Sequence, residues 1–337
     1  MRQTEIPKPS PIITIAVIVI AVSSLTRLIL ASDGNAAGLL QIFATRFLGI
    51  FIEAAPFLLM GSVVSGLIEA YITPEDLTRW MPRNAFGSTL AGTFMGFVFP
   101  VCECGVVPVV RRLYNKGLPM GVGVAFLLAA PVMNPIVFAS TYIAFGWGTI
   151  LIGRFVLTAL IALAIGLVFT LTARPMEVLK PTTLAPIMGG SQHNLEPRRS
   201  VWSGLMNAAS VATDEVFEMG RYLIIGCLLA ATLQTTLSQE ALLALGQGPV
   251  FSVLVMNVFA FVLSVCSTVD AFLALAFAGT FTTGAILSFL TFGPMVDIKS
   301  MLMFTGVFQP RVVAYLVALP LLMSTAAAVW LNLNIVF

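Results

Sequence analysis

Charge is what this sequence has least of. Asp, Glu, Lys and Arg make up 9% of its 337 residues, while 58% are hydrophobic. A soluble domain carries roughly 25% charged residues, so a water-facing surface is excluded. The net charge of +2 is too small for a nucleic-acid partner. One histidine, His193, lies in a polar stretch, which excludes a histidine-rich metal or protease site. No G-x-x-x-x-G-K-[ST], H-E-x-x-H or G-x-S-x-G occurs, so neither a P-loop nor those hydrolytic sites are present. The four cysteines, Cys102, Cys104, Cys227 and Cys266, sit inside apolar runs rather than in loops, which excludes a secreted disulfide scaffold. Period-2 alternation is also missing, and with it an outer-membrane barrel.

What remains is an all-α polytopic membrane protein. Apolar segments fall at 11–31, 47–72, 86–110, 118–140, 149–172, 216–238, 250–275, 282–298 and 302–335. The first exceeds the usual 7–15 residues of a signal-peptide core and reads as a retained helix. The organisation expected is an N-terminal transmembrane helix (1–40), a first transmembrane repeat (41–172), a cytoplasmic linker (173–215) and a second repeat (216–337). An interfacial helix is expected near Val201 to Val211.

The two halves resemble each other in sequence. Glu53 and Gly61 align with Glu218 and Gly226 at an offset of 165, Cys102 with Cys266 at 164, and Pro131 and Asn134 with Pro294 and Asp297 at 163. Repeated halves are a common transporter architecture. Basic residues in short loops mark the cytoplasmic side. Arg79 and Arg83 precede segment 86–110, and Arg111, Arg112 and Lys116 follow it. Both loops are placed inside if the segment enters and turns back as a re-entrant hairpin. Loops 239–249 and 276–284 hold no Lys or Arg and read as external, so the repeats are expected to be inverted. Nine full spans with parallel repeats are the alternative.

The chemistry concentrates in "VFPVCECGVVPVVRRLYNKG", residues 98–117. Pro100 and Pro108 lack a backbone donor and Gly105 permits positive φ. Irregular backbone at membrane depth is tolerated where it is buried in protein or lines a wet cavity. Pro131 and Pro135 around Asn134, and Pro294 before Asp297, mark similar breaks. Thiolates prefer soft ions, so Cys102 and Cys104 are candidate ligands for a soft metal or trivalent metalloid, with Cys266 as a third. Intramembrane ionisable residues are functional hypotheses by default: Glu103, Asp270 and Asp297 are candidates for proton coupling, Asn134 and Asp297 for solute contact. Arg154 and Arg311 read as static ion-pair partners, and Cys227 as packing.

The stretch "FPVCECGVVPVVRRLYNKGLPMGVGVAFLLAAPVMNP" resembles the ArsP/YraQ-like predicted permeases of bacterial inner membranes, over roughly residues 40–335. The resemblance implies a permease without enzymatic activity or cofactor, and it points to Cys102, Cys104, Gly105, Pro108, Pro131, Asn134, Pro135, Cys266, Asp270, Pro294 and Asp297. Characterised relatives export trivalent organoarsenicals. The expectation is therefore a secondary-active exporter in the inner membrane, its partners a small soft solute and the bilayer. A homo-oligomer stays open, as do an intramembrane thiol oxidoreductase and a channel-like component. Glu103, where a small polar residue is expected in many relatives, and the Cys-Ser-Thr of the second half depart from the pattern.

Overall fold

The computed structural model describes residues 36–82, 84–99, 101–172, 178–180, 201–236 and 248–334. Segment 11–31, Pro100, His193 and most of the polar linker lie outside the described residues. Among the described residues there are thirteen α-helices and no β-strand, only an isolated bridge between Leu179 and Phe308.

Two helices dominate. Helix α1 (Ala36–Tyr71) and helix α8 (Val201–Thr236) have 36 residues each, about 54 Å at 1.5 Å per residue, well beyond a hydrocarbon core of about 30 Å. They pack along each other. A Cβ at Gly66 would lie 2.3 Å from the Ala208 carbonyl oxygen, so the close approach of the two backbones needs glycine there. The expected interfacial helix is the first turns of α8, which runs unbroken through the boundary expected at 215/216.

Between and after these helices the apolar segments divide further than expected. Helix α2 (Pro74–Trp80) starts at a capping box in which the Thr73 hydroxyl accepts from the Asp76 N–H. Segment 86–110 forms α3 (Ala85–Phe94), a 3-10 turn at Met95–Phe97, an irregular stretch, and α4 (Glu103–Asn115). Segment 118–140 forms α5 (Met120–Ala129) and α6 (Pro135–Phe145), followed by α7 (Thr149–Thr172). The second half runs α9 (Phe251–Leu263), α10 (Asp270–Phe277), α11 (Thr283–Met295), α12 (Ile298–Val307) and α13 (Pro310–Asn334). Segment 302–335 is thus two helices, parted by the turn at Phe308 and Gln309, where Val178–Lys180 of the linker is tied by backbone hydrogen bonds.

Five stretches are long and apolar enough to cross a membrane: Gly38–Tyr71, Thr149–Thr172, Gly204–Thr236, Thr283–Val307 and Pro310–Asn334. The chain is a multi-pass membrane protein. Burial sorts the five into layers. The most apolar window of Thr283–Val307 is 94% buried, against 28–33% for the other four. The interrupted helix α11–α12 is therefore the core, wrapped by helices whose apolar faces remain open for lipid. Every residue of α5 is buried as well.

Two sequence expectations change here. Gly105 and Pro108 do not break a helix: both lie inside α4, and Gly105 is not among the positive-φ residues. Gly105 serves close approach instead, since a Cβ on Gly61 of α1 would lie 2.4 Å from its Cα. Pro108 removes the N–H that would bond the Cys104 carbonyl, leaving that carbonyl without its helical partner. Pro294 likewise lies within α11. Arg111 and Arg112 are not loop residues; α4 carries them into the interior, 2% and 5% exposed, where acids from α1 and α8 receive them.

Candidate functional site

The irregular stretch before α4 ends at Cys102, whose extended backbone (φ −83°, ψ 178°) turns into the helix at Glu103. Cys102 carries no capping side-chain bond, so its thiol is not spent on the helix terminus. Cys102 and Cys104 are buried and free, and their thiols lie within hydrogen-bonding reach of each other. A Cys-x-Cys across a helix start can aim both sulfurs at one centre, because one residue is extended and the other helical. The carbonyl released by Pro108 belongs to Cys104.

Facing this pair is the break between α11 and α12. Asp297 caps α12: its Oδ1 accepts from the Ser300 N–H at 2.7 Å, and the Ser300 hydroxyl accepts from the Asp297 N–H at 2.9 Å. Asn134 does the same for α6, accepting from the Ile136 N–H at 2.9 Å. The aligned residues of the two halves thus share a capping role, and Pro135 is the first residue of α6.

Lys299 sits two residues past Asp297, 1% exposed. Its Nζ donates to the Ser264 carbonyl at 2.6 Å and lies 3.5 Å from Asp297 Oδ2 and 3.7 Å from Glu103 Oε1. The ammonium therefore bridges the acid between the cysteines and the acid at the opposite break, without a short bond to either. Cys104 and Cys227 are both close enough to interact electrostatically with Lys299, and Cys266 with Glu103. Glu53 on α1, half-buried, is within similar reach of Glu103, Cys266 and Lys299.

Cys266 lies in the link from α9 to α10, where its sulfur accepts a hydrogen bond from Thr268 Oγ1 at 3.5 Å. That link begins at Ser264, the one non-glycine residue with positive φ (50°) among the described residues. The strained turn presents its carbonyl to Lys299. Among the described residues no three His, Cys, Asp or Glu side chains are gathered for a metal ion. The thiols are presented as a pair and not as a closed cage.

Asp270 stands apart from this group. It begins α10, and its Oδ2 accepts from Arg154 Nη2 at 2.7 Å. Arg154, fully buried, also donates to Thr141 Oγ1 at 2.8 Å and the Ser267 carbonyl at 3.3 Å. Arg311 is exposed at the start of α13. An apolar cleft of about 460 Å³ lies between α1 and the irregular stretch before α4, lined by Met60, Val64, Ile68, Val98, Phe99 and Val101.

Cys102, Glu103, Cys104, Cys266 and Asp297 therefore meet in one seam, while Asn134 and Asp270 serve other contacts. Lys299 was missing from the sequence-based set because it read as a loop residue between two spans. Its signal was "VDIKS", a lysine in the first turn of a helix capped by Asp297, inside a largely apolar run. The acids that receive Arg111 and Arg112 were equally hidden, because they come from helices distant in sequence.

The chain is 43% identical over 273 residues to YcgR of Bacillus subtilis, covering 80% of this chain and 90% of the relative. It is 36% identical over 267 residues to a Streptococcus mutans protein named as a two-component membrane permease complex subunit, covering 79% and 86%. A shorter match, 29% over 89 residues and 26% of each chain, joins it to YraQ of Escherichia coli. No solved structure matches. The profile of the ArsP family, described as predicted permease, matches residues 39–333, and the chain belongs to that family of predicted permeases.

Proposed function

We propose that this permease is a secondary-active exporter of a soft, trivalent solute, for which monomethylated arsenite is the best-fitting class, and that it acts in the bacterial inner membrane. The observation that carries the reading is the buried, unpaired thiol couple at the start of α4, facing the capped break of α12.

The chemistry balances without a cofactor. A methylarsenic(III) dihydroxide gives up two As–O bonds and forms two As–S bonds to Cys102 and Cys104. Each thiol proton leaves with a hydroxide as water, and no electron changes hands. Two sulfurs suffice for a monomethylated centre, which keeps exchange reversible where a closed four-sulfur site would trap the ion. The uncharged product suits a seam of low dielectric. Lys299, Asp297 and Glu103 would hold the two broken helices together when the site is empty and lose that geometry as the solute enters. Cys266 stands as a third sulfur at the same seam, and Asp270, held by Arg154, as a fixed hinge of the second half.

Among the described residues, and α2 apart, element order supports a repeat: long helix, short helix, irregular link, short helix opening on an acid, then an interrupted helix with an Asn or Asp cap. Contacts support it as well, since α4 packs on α12 and its counterpart α10 packs on α6. Alternating access around such a pseudo-two-fold would expose the thiol pair to each side in turn. The name of the S. mutans relative extends the proposal to a second protein component.

Uptake of methylarsenite into everted vesicles tests the reading, with inorganic arsenite and zinc as comparisons. Accumulation by the wild type, lost in Cys102→Ser and in Cys104→Ser, is expected. Equal accumulation by wild type and both variants would remove the thiol pair from the site.

A further inference from the structure

Thiol exchange with a hydroxylated arsenical releases water and takes up no net proton, so a proton-driven cycle needs a carboxyl besides the thiols. The other end of α4 carries a group suited to it. Glu215 on α8 has a fully buried side chain, and neither of its carboxyl oxygens has a hydrogen-bond partner. The nearest cation, Nη2 of Arg112 on α4, stays 3.9 Å away, and Arg112 Nη2 and Nε have no acceptor either.

On the remaining side stands Ser65 of α1. Its hydroxyl lies 3.3 Å from the Pro108 carbonyl, to which it can donate, and also within reach of the Glu215 carboxyl. A serine hydroxyl both donates and accepts, so by rotating it can serve the carboxylate or the carboxylic acid. The attraction of Arg112 therefore depends on the anion, while Ser65 can stay with the carboxyl in either state. The other charges around the carboxyl are already engaged. Arg111 of α4 binds Glu218 of α8 at 2.6 Å, and Glu69 of α1 lies 3.5 Å from Arg112 and 3.3 Å from Lys116. Asp214, next along α8, is exposed.

We propose that Glu215 is the proton-loading site of this permease, releasing Arg112 as it is protonated. The connection to the thiol seam is material. Arg112 lies eight residues along α4 from Cys104, about 12 Å at 1.5 Å per residue. On α8, Gly226 lies eleven residues past Glu215, about 16 Å, and a Cβ there would press on the Lys299 backbone at 2.9 Å. Both helices that meet at Glu215 also wall the seam, so releasing Arg112 frees α4 to move against α8. The inference rests on the proposed function only in taking α4 as a wall of the solute path.

Two measurements on the full chain test it, one independent of any solute. Infrared difference spectra of the protein in lipid nanodiscs, recorded across pH, should show the carbonyl stretch of a buried protonated carboxyl. Glu215→Gln should remove that band, Glu215→Asp should displace it, and Glu218→Gln should leave it. A band unchanged by both Glu215 substitutions would overturn the proposal. Methylarsenite uptake into everted vesicles should vary by up to about tenfold per pH unit on its titrating limb, as one required proton dictates, and by less than about twofold in Glu215→Gln. A variant that keeps the wild-type profile would also overturn it. Failure of the wild type to accumulate methylarsenite, with the infrared band behaving as stated, would sink the solute assignment and leave the proton site standing.

Discussion

Two buried cations organise this bundle, and they are held differently. Arg154 meets Asp270 at 2.7 Å, Thr141 at 2.8 Å and the Ser267 carbonyl at 3.3 Å. Lys299 makes one short bond, to the Ser264 carbonyl at 2.6 Å, and keeps Glu103 and Asp297 at 3.7 and 3.5 Å. Both clusters lean on the same link between α9 and α10, which offers one carbonyl to each. A planar guanidinium seated against a carboxylate, a hydroxyl and a carbonyl has fixed geometry. An ammonium balanced between two acids has alternatives. The first cluster has the form of a fastening, the second that of a contact that can be exchanged, and only the second adjoins the thiols.

Breaking the fastening should have the largest effect. Arg154→Leu leaves Asp270 buried without its cation, and loss of one partner of a buried pair costs about 3–5 kcal/mol. Loss of folded, monodisperse protein in detergent is expected. Arg154→Leu combined with Asp270→Leu should recover most of it, since an apolar pair of similar volume is often no worse than a buried ion pair.

Lys299→Met also leaves buried acids without their cation, so a loss of about 3 kcal/mol is expected, at the lower end of that range because neither acid is in a short bond with it, while abolishing methylarsenite uptake. A pair of double-mutant cycles sharpens the contrast. Unfolding in mixed micelles should give a coupling above about 2 kcal/mol for Arg154 with Asp270, and below about 1 kcal/mol for Lys299 with Glu103. Equal couplings would erase the distinction between fastening and exchangeable contact.

The glycines aligned between the halves test whether the seam tolerates displacement. A Cβ at Gly61 would lie 2.4 Å from the backbone of Gly105, and one at Gly226 would lie 2.9 Å from the Lys299 Cα. Gly61→Ala should therefore cost at least about 1 kcal/mol by overpacking and push α1 off the helix that carries Cys104. Gly226→Ala should cost less in stability. Thermal unfolding of the two variants in nanodiscs reads the order directly.

Much of this site was legible in the sequence, for a physical reason. A break in an apolar run must be announced by residues that cannot continue a helix or that cap one, so Cys102-Glu103-Cys104, Asn134-Pro135 and Asp297 stood out. The number of helices was less legible. Hydropathy is the same for one span and for two short helices meeting at a turn, as in segments 86–110 and 302–335. Buried cations were the least legible. Arg111 and Arg112 looked like loop residues because their acids, Glu218, Glu69 and Glu215, lie more than forty positions away along the chain, and Lys299 because only one of its two acids, Asp297, is near it in sequence while Glu103 is distant. Position rules for basic residues apply to charges in water, and these have left it.

The smallest change separates two roles that one residue combines. Asp297 caps α12 through Oδ1 and faces Lys299 through Oδ2. Asp297→Asn keeps an acceptor for the Ser300 N–H and removes the charge. Asn and Asp are near equals as caps, so stability should shift by no more than about 0.5 kcal/mol. Asn134 is the internal control, an uncharged cap at the aligned break with no lysine after it. If Asp297 matters only as a cap, the asparagine variant will transport as the wild type does. If its charge helps to hold Lys299 in the empty seam, uptake of methylarsenite will change while the unfolding curve stays in place. That outcome would tie the difference between the two halves to a single carboxylate oxygen.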